Sequence, residues 1–268
     1  MITPEPLLDV RCVRKSFDGL MALNGATITV ARGSITALIG PNGAGKTTLF
    51  NAVAGRVRLD AGEIRLGGDR IDGLPPFRIA RAGVGRTFQL TRVLAKMSVL
   101  DNVLIGAMGH PGEQLRSVFG WRPSARRHER LIGDRAREIL RLVDLGHLTD
   151  EYAGALSGGQ RKLLEFARVL MAEPTLILLD EPMAGVNPVL GARLIDHVLA
   201  ERDRRGTTFL IVEHDMDTIM TISDKVLVMH EGRLIAEGNP LSVQSNPAVV
   251  DAYLGAPAPL LTAGPSAS

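Results

Sequence analysis

Gly40-Pro41-Asn42-Gly43-Ala44-Gly45-Lys46-Thr47-Thr48 matches G-x-x-x-x-G-K-[ST] without a gap, and its flanks decide how it is read. Ser34 to Ile39 ahead of it is a short run of strand character, and Lys46 to Ala54 behind it carries Leu49, Phe50 and Val53. Strand, glycine-rich loop and helix in that order form the setting of a phosphate-binding P-loop. Glycine lets the backbone turn tightly enough to aim several N–H groups at one anion, and the following helix adds its positive end. The backbone from Asn42 through Gly43, Ala44, Gly45, Lys46, Thr47 and Thr48 is therefore the expected phosphate cradle. Lys46 is expected to neutralise β- and γ-phosphate oxygens of a nucleoside triphosphate, and the Thr47 hydroxyl to ligate Mg²⁺.

Working outward, the chemistry-bearing residues fall at strand ends. Thr175 to Leu179 is an apolar run of the kind buried in a parallel sheet, and Asp180-Glu181 stand at its carboxyl end. Ligands of open α/β sheets bind beyond that edge. Asp180 is expected to reach Mg²⁺, directly or through water, and Glu181 to polarise the water that attacks the γ-phosphate. Thr207 to Val212 is a second such run, ending in Glu213-His214-Asp215. That puts His214 on the edge that carries Glu181, where an imidazole can hydrogen-bond the γ-phosphate and the attacking water. Gly83 to Gln89 reads as a strand ending in an amide, so Gln89 is either an ordinary surface residue or a group that touches Mg²⁺ or the water and can still move away. Leu156-Ser157-Gly158-Gly159-Gln160 precedes an apolar-faced helix closed by Pro174. Ser157 is a natural N-cap, and the same helix start reads equally as a second anion site. Phe17, just before the Asp18-Gly19 turn, is either a strand-edge phenylalanine or a ring for stacking on adenine.

The remaining stretches supply scaffold. Leu7–Arg14 and Ala26–Ala31 read as strands, and Gly62–Leu66 with Gly67-Gly68 as an antiparallel strand and turn. A short helix opens at Pro75-Pro76. Ser98 to Asp101 has capping-box spacing and starts a helix through Ile105. Gly109 to Arg122, with Trp121, reads as an irregular insert, and helical spacing of Ile132, Ala136, Ile139, Leu140 and Val143 predicts a long helix from Ser124 to about Leu145. Pro188–Arg205 reads as a helix, Lys225–Met229 and Arg233–Ala236 as a hairpin, Asn246–Leu254 as a closing helix, and 255–268 as a disordered tail.

Bulk properties exclude other classes. The 268 residues carry a net charge of +2, too close to neutral to argue for a nucleic-acid partner. Cys12 is the single cysteine, which rules out an internal disulfide framework and suits a reducing cytoplasm. No secretory signal pattern follows Met1, and no apolar run approaches the ~20 residues needed to span a bilayer. A role at a membrane is expected to need other chains for the membrane part.

P-loop, glutamine-ended strand, Leu-Ser-Gly-Gly-Gln and Leu-Leu-Asp-Glu stand in one order, with His214 behind. This resembles the ATP-binding subunit of an ABC transporter, over residues 7 to about 254. The resemblance implies an α/β fold: a RecA-like P-loop NTPase core with an N-terminal antiparallel β part and an inserted α-helical subdomain. Residues 1–90 and 156–236 would form the core, 91–155 the helical subdomain, and 237–254 the C-terminal helix. It assigns catalysis to Glu181, His214, Gln89 and Lys46, metal ligation to Thr47, Gln89 and Asp180, and adenine stacking to Phe17. It also implies that Ser157 and Gly159 bind the γ-phosphate of ATP held by an opposing ATPase subunit. Implied partners are that second ATPase subunit, two transmembrane permease subunits beneath which the chain sits on the cytoplasmic face, and indirectly a solute-binding protein. Arg86-Thr87-Phe88-Gln89, Glu181 to Pro188 and Ala252-Tyr253-Leu254-Gly255 look like branched-chain amino acid importers, with urea and amide importers close. Ala184-Gly185-Val186-Asn187 departs from the Ser-Ala-Leu-Asp of most members, and Ser34 stands where glutamate is common. Rival readings are the ATPase of a lipid or lipopolysaccharide exporter and a soluble ABC ATPase acting on nucleic acid or ribosomes.

Overall fold

A computed structural model describes residues 6–87, 93–107 and 123–254. Two sheets organise them. Strands β1 (Leu8–Phe17), β2 (Leu20–Val30), β4 (Ala61–Leu66) and β5 (Asp69–Arg70) form an antiparallel sheet in the order β2-β1-β4-β5. The second sheet has the order β10-β9-β3-β8-β7-β6, built from β3 (Ile35–Ile39), β6 (Val84–Arg86), β7 (Leu176–Asp180), β8 (Thr208–Val212), β9 (Lys225–His230) and β10 (Arg233–Gly238). Its β6, β7, β8, β3 and β9 run parallel, and only β10 is antiparallel.

The apolar runs at β7 and β8 have no polar face because both faces are covered. Leu176, Leu178, Leu210 and Val212 point into a core shared with the antiparallel sheet and α1 (Lys46–Val53). Ile177, Leu179, Phe209 and Ile211 point the other way, into a core built with α3 (Val99–Leu104), α4 (Pro123–Leu142), α5 (Gly158–Met171) and α6 (Pro188–Arg205). A third cluster joins Ala37, Ile39, Val226 and Val228 to α7 (Met216–Ile222), α8 (Pro240–Gln244) and α9 (Pro247–Leu254). The short helix α2 (Pro76–Arg81) opens on prolines, where a missing N–H costs nothing.

The expected α/β architecture, with its antiparallel part and helical insert, is therefore present. The Asp18-Gly19, Gly67-Gly68 and Glu231-Gly232 turns all have positive φ at both residues, as tight hairpins with right-twisted strands require. Ser98 caps α3 by accepting from the Asp101 N–H, as its spacing predicts. Of the strand expected over Gly83–Gln89, the described residues form β6 at Val84–Arg86. Gln89, the insert 109–122 with Trp121, and the tail 255–268 lie outside the described residues. Two helices escaped the sequence reading, α7 and α8. Their signals are local: Asp215 accepts from the Asp217 N–H, and Asn239 accepts from the Ser242 N–H ahead of Pro240. No described helix is long and apolar enough to cross a membrane.

Candidate nucleotide site

The loop Gly40–Gly45 leaves the carboxyl end of β3, and its glycines are demanded by neighbours as well as by φ. A Cβ at Gly40 (φ 147°) would lie 2.1 Å from the Met229 carbonyl oxygen, and one at Gly45 (φ 98°) 2.4 Å from that of Ala22. The β9–β10 turn thus presses on the loop from beneath. Gly232 N–H donates to the Ala44 carbonyl at 3.0 Å and Asn24 N–H to the Gly232 carbonyl at 2.8 Å, so the turn stitches loop and β2 together. We expect Gly45→Ala to lose nucleotide binding and to lower the melting temperature, read by calorimetry with and without ATP.

Gly45 caps α1 with no side-chain hydrogen bond, so the first-turn amides of the helix are not covered by a capping side chain. That is the arrangement an anion fills. Lys46 is buried, with its ammonium donating to the Gly40 carbonyl at 2.6 Å and the Pro41 carbonyl at 3.0 Å. Burial holds its pKa below the usual lysine value, against the opposing pull of Glu181 and Asp180. Two of its three protons are used, which leaves one for a phosphate oxygen.

Asp180 ends β7, only 4% exposed, and Arg86 donates to its Oδ2 at 3.1 Å. Arg86 is itself held by the Asn51 side-chain oxygen at 2.7 Å and lies over the Phe50 ring. Glu181 follows with φ 48°. A non-glycine residue there carries strain of about 1–3 kcal/mol and persists only where its surroundings over-determine it. Here they do. Glu181 N–H donates to the Val212 carbonyl at 2.9 Å, and Ala184 N–H to the Glu181 carbonyl at 3.1 Å. His214 Nε2 donates to Glu181 Oε1 at 2.8 Å. β8 lies between β3 and β7, which puts His214 on the sheet edge that carries Glu181, as the sequence reading expected.

The donor set fits a hard divalent ion carried in by a nucleotide. Among the described residues no group of three or more His, Cys, Asp and Glu could hold a metal alone. A hydroxyl at Thr47 and a carboxylate at Asp180 leave the other positions to phosphate oxygens and water, as Mg²⁺ prefers.

Ser157 N-caps α5 in a full capping box, its Oγ accepting from Gln160 N–H at 3.3 Å and its N–H donating to Gln160 Oε1 at 2.9 Å. Ser157 and Gly158 are exposed, with nothing within 4 Å of a Cβ at Gly158. Gly159 is small for another reason: a Cβ there would lie 2.5 Å from the Leu190 Cδ1 on α6. Phe17 is exposed at the end of β1 with the Lys15 ammonium over its ring at 5.2 Å.

Several residues around this site were not singled out from sequence: Asn51, Arg86, Lys162, Glu213 and Tyr253. Arg86 and Glu213 had a legible signal, each being a charge at a buried strand's carboxyl end. Lys162 and Tyr253 had none. Burial of Tyr253, on α9, raises its phenol pKa, against the opposing effect of the Gly40 backbone.

A P-loop on the central strand, with an acidic pair and a histidine on the neighbouring strand ends, defines a nucleoside-triphosphate hydrolase. Which one follows from its relatives. A family model described as "ABC transporter" matches residues 23–184, and one described as "Branched-chain amino acid ATP-binding cassette transporter" matches residues 233–259. The chain is 45% identical over 251 residues to the probable branched-chain amino acid transport ATP-binding protein LivG of Archaeoglobus fulgidus, covering 93% of this chain and 96% of that protein. The high-affinity branched-chain amino acid transport ATP-binding protein BraF of Pseudomonas aeruginosa is 39% identical, with 94% and 98% covered. The crystal structure of the ADP conformation of an ATP-binding cassette of an ABC transporter superposes with a TM-score of 0.80 at 38% identity, covering 94% of this chain and 100% of that one. The protein belongs to the ABC transporter family, as one of its ATPase cassettes.

Proposed function

We propose that this chain hydrolyses ATP to power uptake of branched-chain amino acids through a membrane permease. The observation that carries the ATPase half is the 2.8 Å pair of His214 and Glu181 on the sheet edge that also holds buried Lys46 and Asp180. The solute rests on the full-length relatives, which are named for branched-chain amino acid transport.

In this reading the P-loop amides and the third Lys46 proton bind the β- and γ-phosphates. Thr47 and Asp180 would hold Mg²⁺, which when bound would supply charge neutralisation at the phosphates. Arg86 fixes one Asp180 oxygen and so orients the other. Glu181 accepts a proton from the attacking water, and His214 orients Glu181 while remaining free to turn its imidazole to the γ-phosphate. Gln89 is proposed as the amide that senses nucleotide and metal, and Phe17 as the adenine platform. Ser157 and Gly159 complete the site of an opposing ATPase subunit across a head-to-tail dimer. The 91–155 helical block carries the ATP state to two permease subunits at the cytoplasmic face of the membrane, which an external solute-binding protein supplies.

His214→Ala should lower kcat by about 10²-fold with ATP affinity little changed, since it removes one oriented partner of the base; filter binding and phosphate release measure both. Affinity purification from detergent-solubilised membranes tests the transport reading. Two co-purifying permease subunits are expected, and recovery of none would sink it. Uptake of leucine, isoleucine or valine by vesicles holding that complex separates this solute from urea and short amides.

A further inference from the structure

Lys162 lies five residues beyond Ser157 on α5, yet its side chain serves another element. Its ammonium donates to three backbone carbonyls of a single loop: Glu181 at 3.2 Å, Pro182 at 3.0 Å and Ala184 at 2.5 Å. Three donors on one ammonium thus meet three carbonyls within four residues. The opposite side of that loop is held too. Buried Glu213 accepts from the Met183 N–H at 2.9 Å and from the His214 N–H at 3.0 Å. The loop is gripped by a cation on its carbonyls and by an anion on its amide, and the residue at its head is Glu181 with φ 48°.

We propose that Lys162 and Glu213 are positioning residues for Glu181. They hold loop 181–184 so that Glu181 stays in its left-handed conformation facing His214, and they fasten that loop to the helix beginning at Ser157. The inference rests on Glu181 being the base proposed above. Its content is that one rigid piece, α5, carries Ser157 at its tip and the Glu181 loop on its flank. A shift of α5 when Ser157 meets a partner's nucleotide therefore moves the base of its own site. Lys162 reaches the reaction only through Glu181.

The test is a double-mutant cycle on the purified chain, read by single-turnover hydrolysis and by ATP affinity. Lys162→Met keeps the apolar stem and removes the three donors. It should lower the hydrolysis rate about 10- to 100-fold, the scale of a misplaced catalytic group, with ATP affinity within about twofold of wild type. In a Glu181→Gln background the same change should cost nothing further, because the group it positions is already gone. A purely structural role would instead cost the same factor in both backgrounds, or would weaken ATP binding in parallel, and either result overturns the proposal. An unchanged rate in Lys162→Met overturns it as well. If Lys162→Met does not fold, Glu213→Gln takes its place: it keeps the shape, releases one of the two amides, and must show the same non-additive loss. If Glu181→Gln alone hydrolyses ATP near the wild-type rate, the base assignment fails whatever Lys162 does.

Discussion

Glu181→Gln should reduce steady-state ATP hydrolysis by about 10²–10⁴-fold and leave ATP binding intact. The range is what a positioned general base supplies, equivalent to about 3–5 kcal/mol of barrier. The substitution is close to isosteric. The amide oxygen still accepts from His214 Nε2, and the backbone bonds to Val212 and Ala184 do not involve the side chain. Structure and nucleotide affinity should therefore be kept, while the group proposed to take the water's proton is lost. Phosphate release under saturating ATP, with equilibrium binding measured in parallel, checks both halves. A rate near wild type refutes the base assignment.

Ser157→Arg should abolish ATP-driven dimerisation and reduce hydrolysis by a comparable factor, without touching the P-loop of its own chain. Ser157 is exposed, so arginine is sterically tolerated in the free chain. Losing the cap costs about 0.5–2 kcal/mol, which a well-packed α5 absorbs. In the proposed dimer the same arginine is directed at the nucleotide held by the other chain, where its bulk fills the space that serine leaves for the γ-phosphate and blocks closure. ATP affinity of the monomer should be unchanged.

What the sequence makes legible is whatever the chain states locally. Apolar runs with no polar face announce β3, β7 and β8, and the turn pairs announce the hairpins. Glu181 and His214 could be placed on one edge because each stands directly after such a run. Ser157 could be read as a cap, and its Gln160 partner completes the box. Contacts between distant segments were not legible. Nothing in Gln160-Arg161-Lys162 says that the lysine will find carbonyls twenty residues on, since its acceptors are backbone and carry no residue identity. Asp180 looked like a bare metal ligand because its partner Arg86 lies 94 positions away. Gly159 was legible as part of an anion site, but its close packing against Leu190, on a helix whose placement only tertiary structure fixes, was not. Helices α7 and α8 are too short for apolar periodicity to emerge, so only their caps mark them.

These readings converge on one claim: the P-loop of this chain is half of an ATP site, and Ser157 of an opposing subunit is the other half. Sedimentation of the Glu181→Gln chain, alone and together with the ATPase subunit that co-purifies with it, tests that most directly. With Mg²⁺ and ATP it should sediment as a dimer, and with ADP, or with Ser157→Arg added in every subunit, as a monomer. A Glu181→Gln chain that binds ATP yet stays monomeric in both settings, or a dimer that Ser157→Arg leaves intact, would contradict the account.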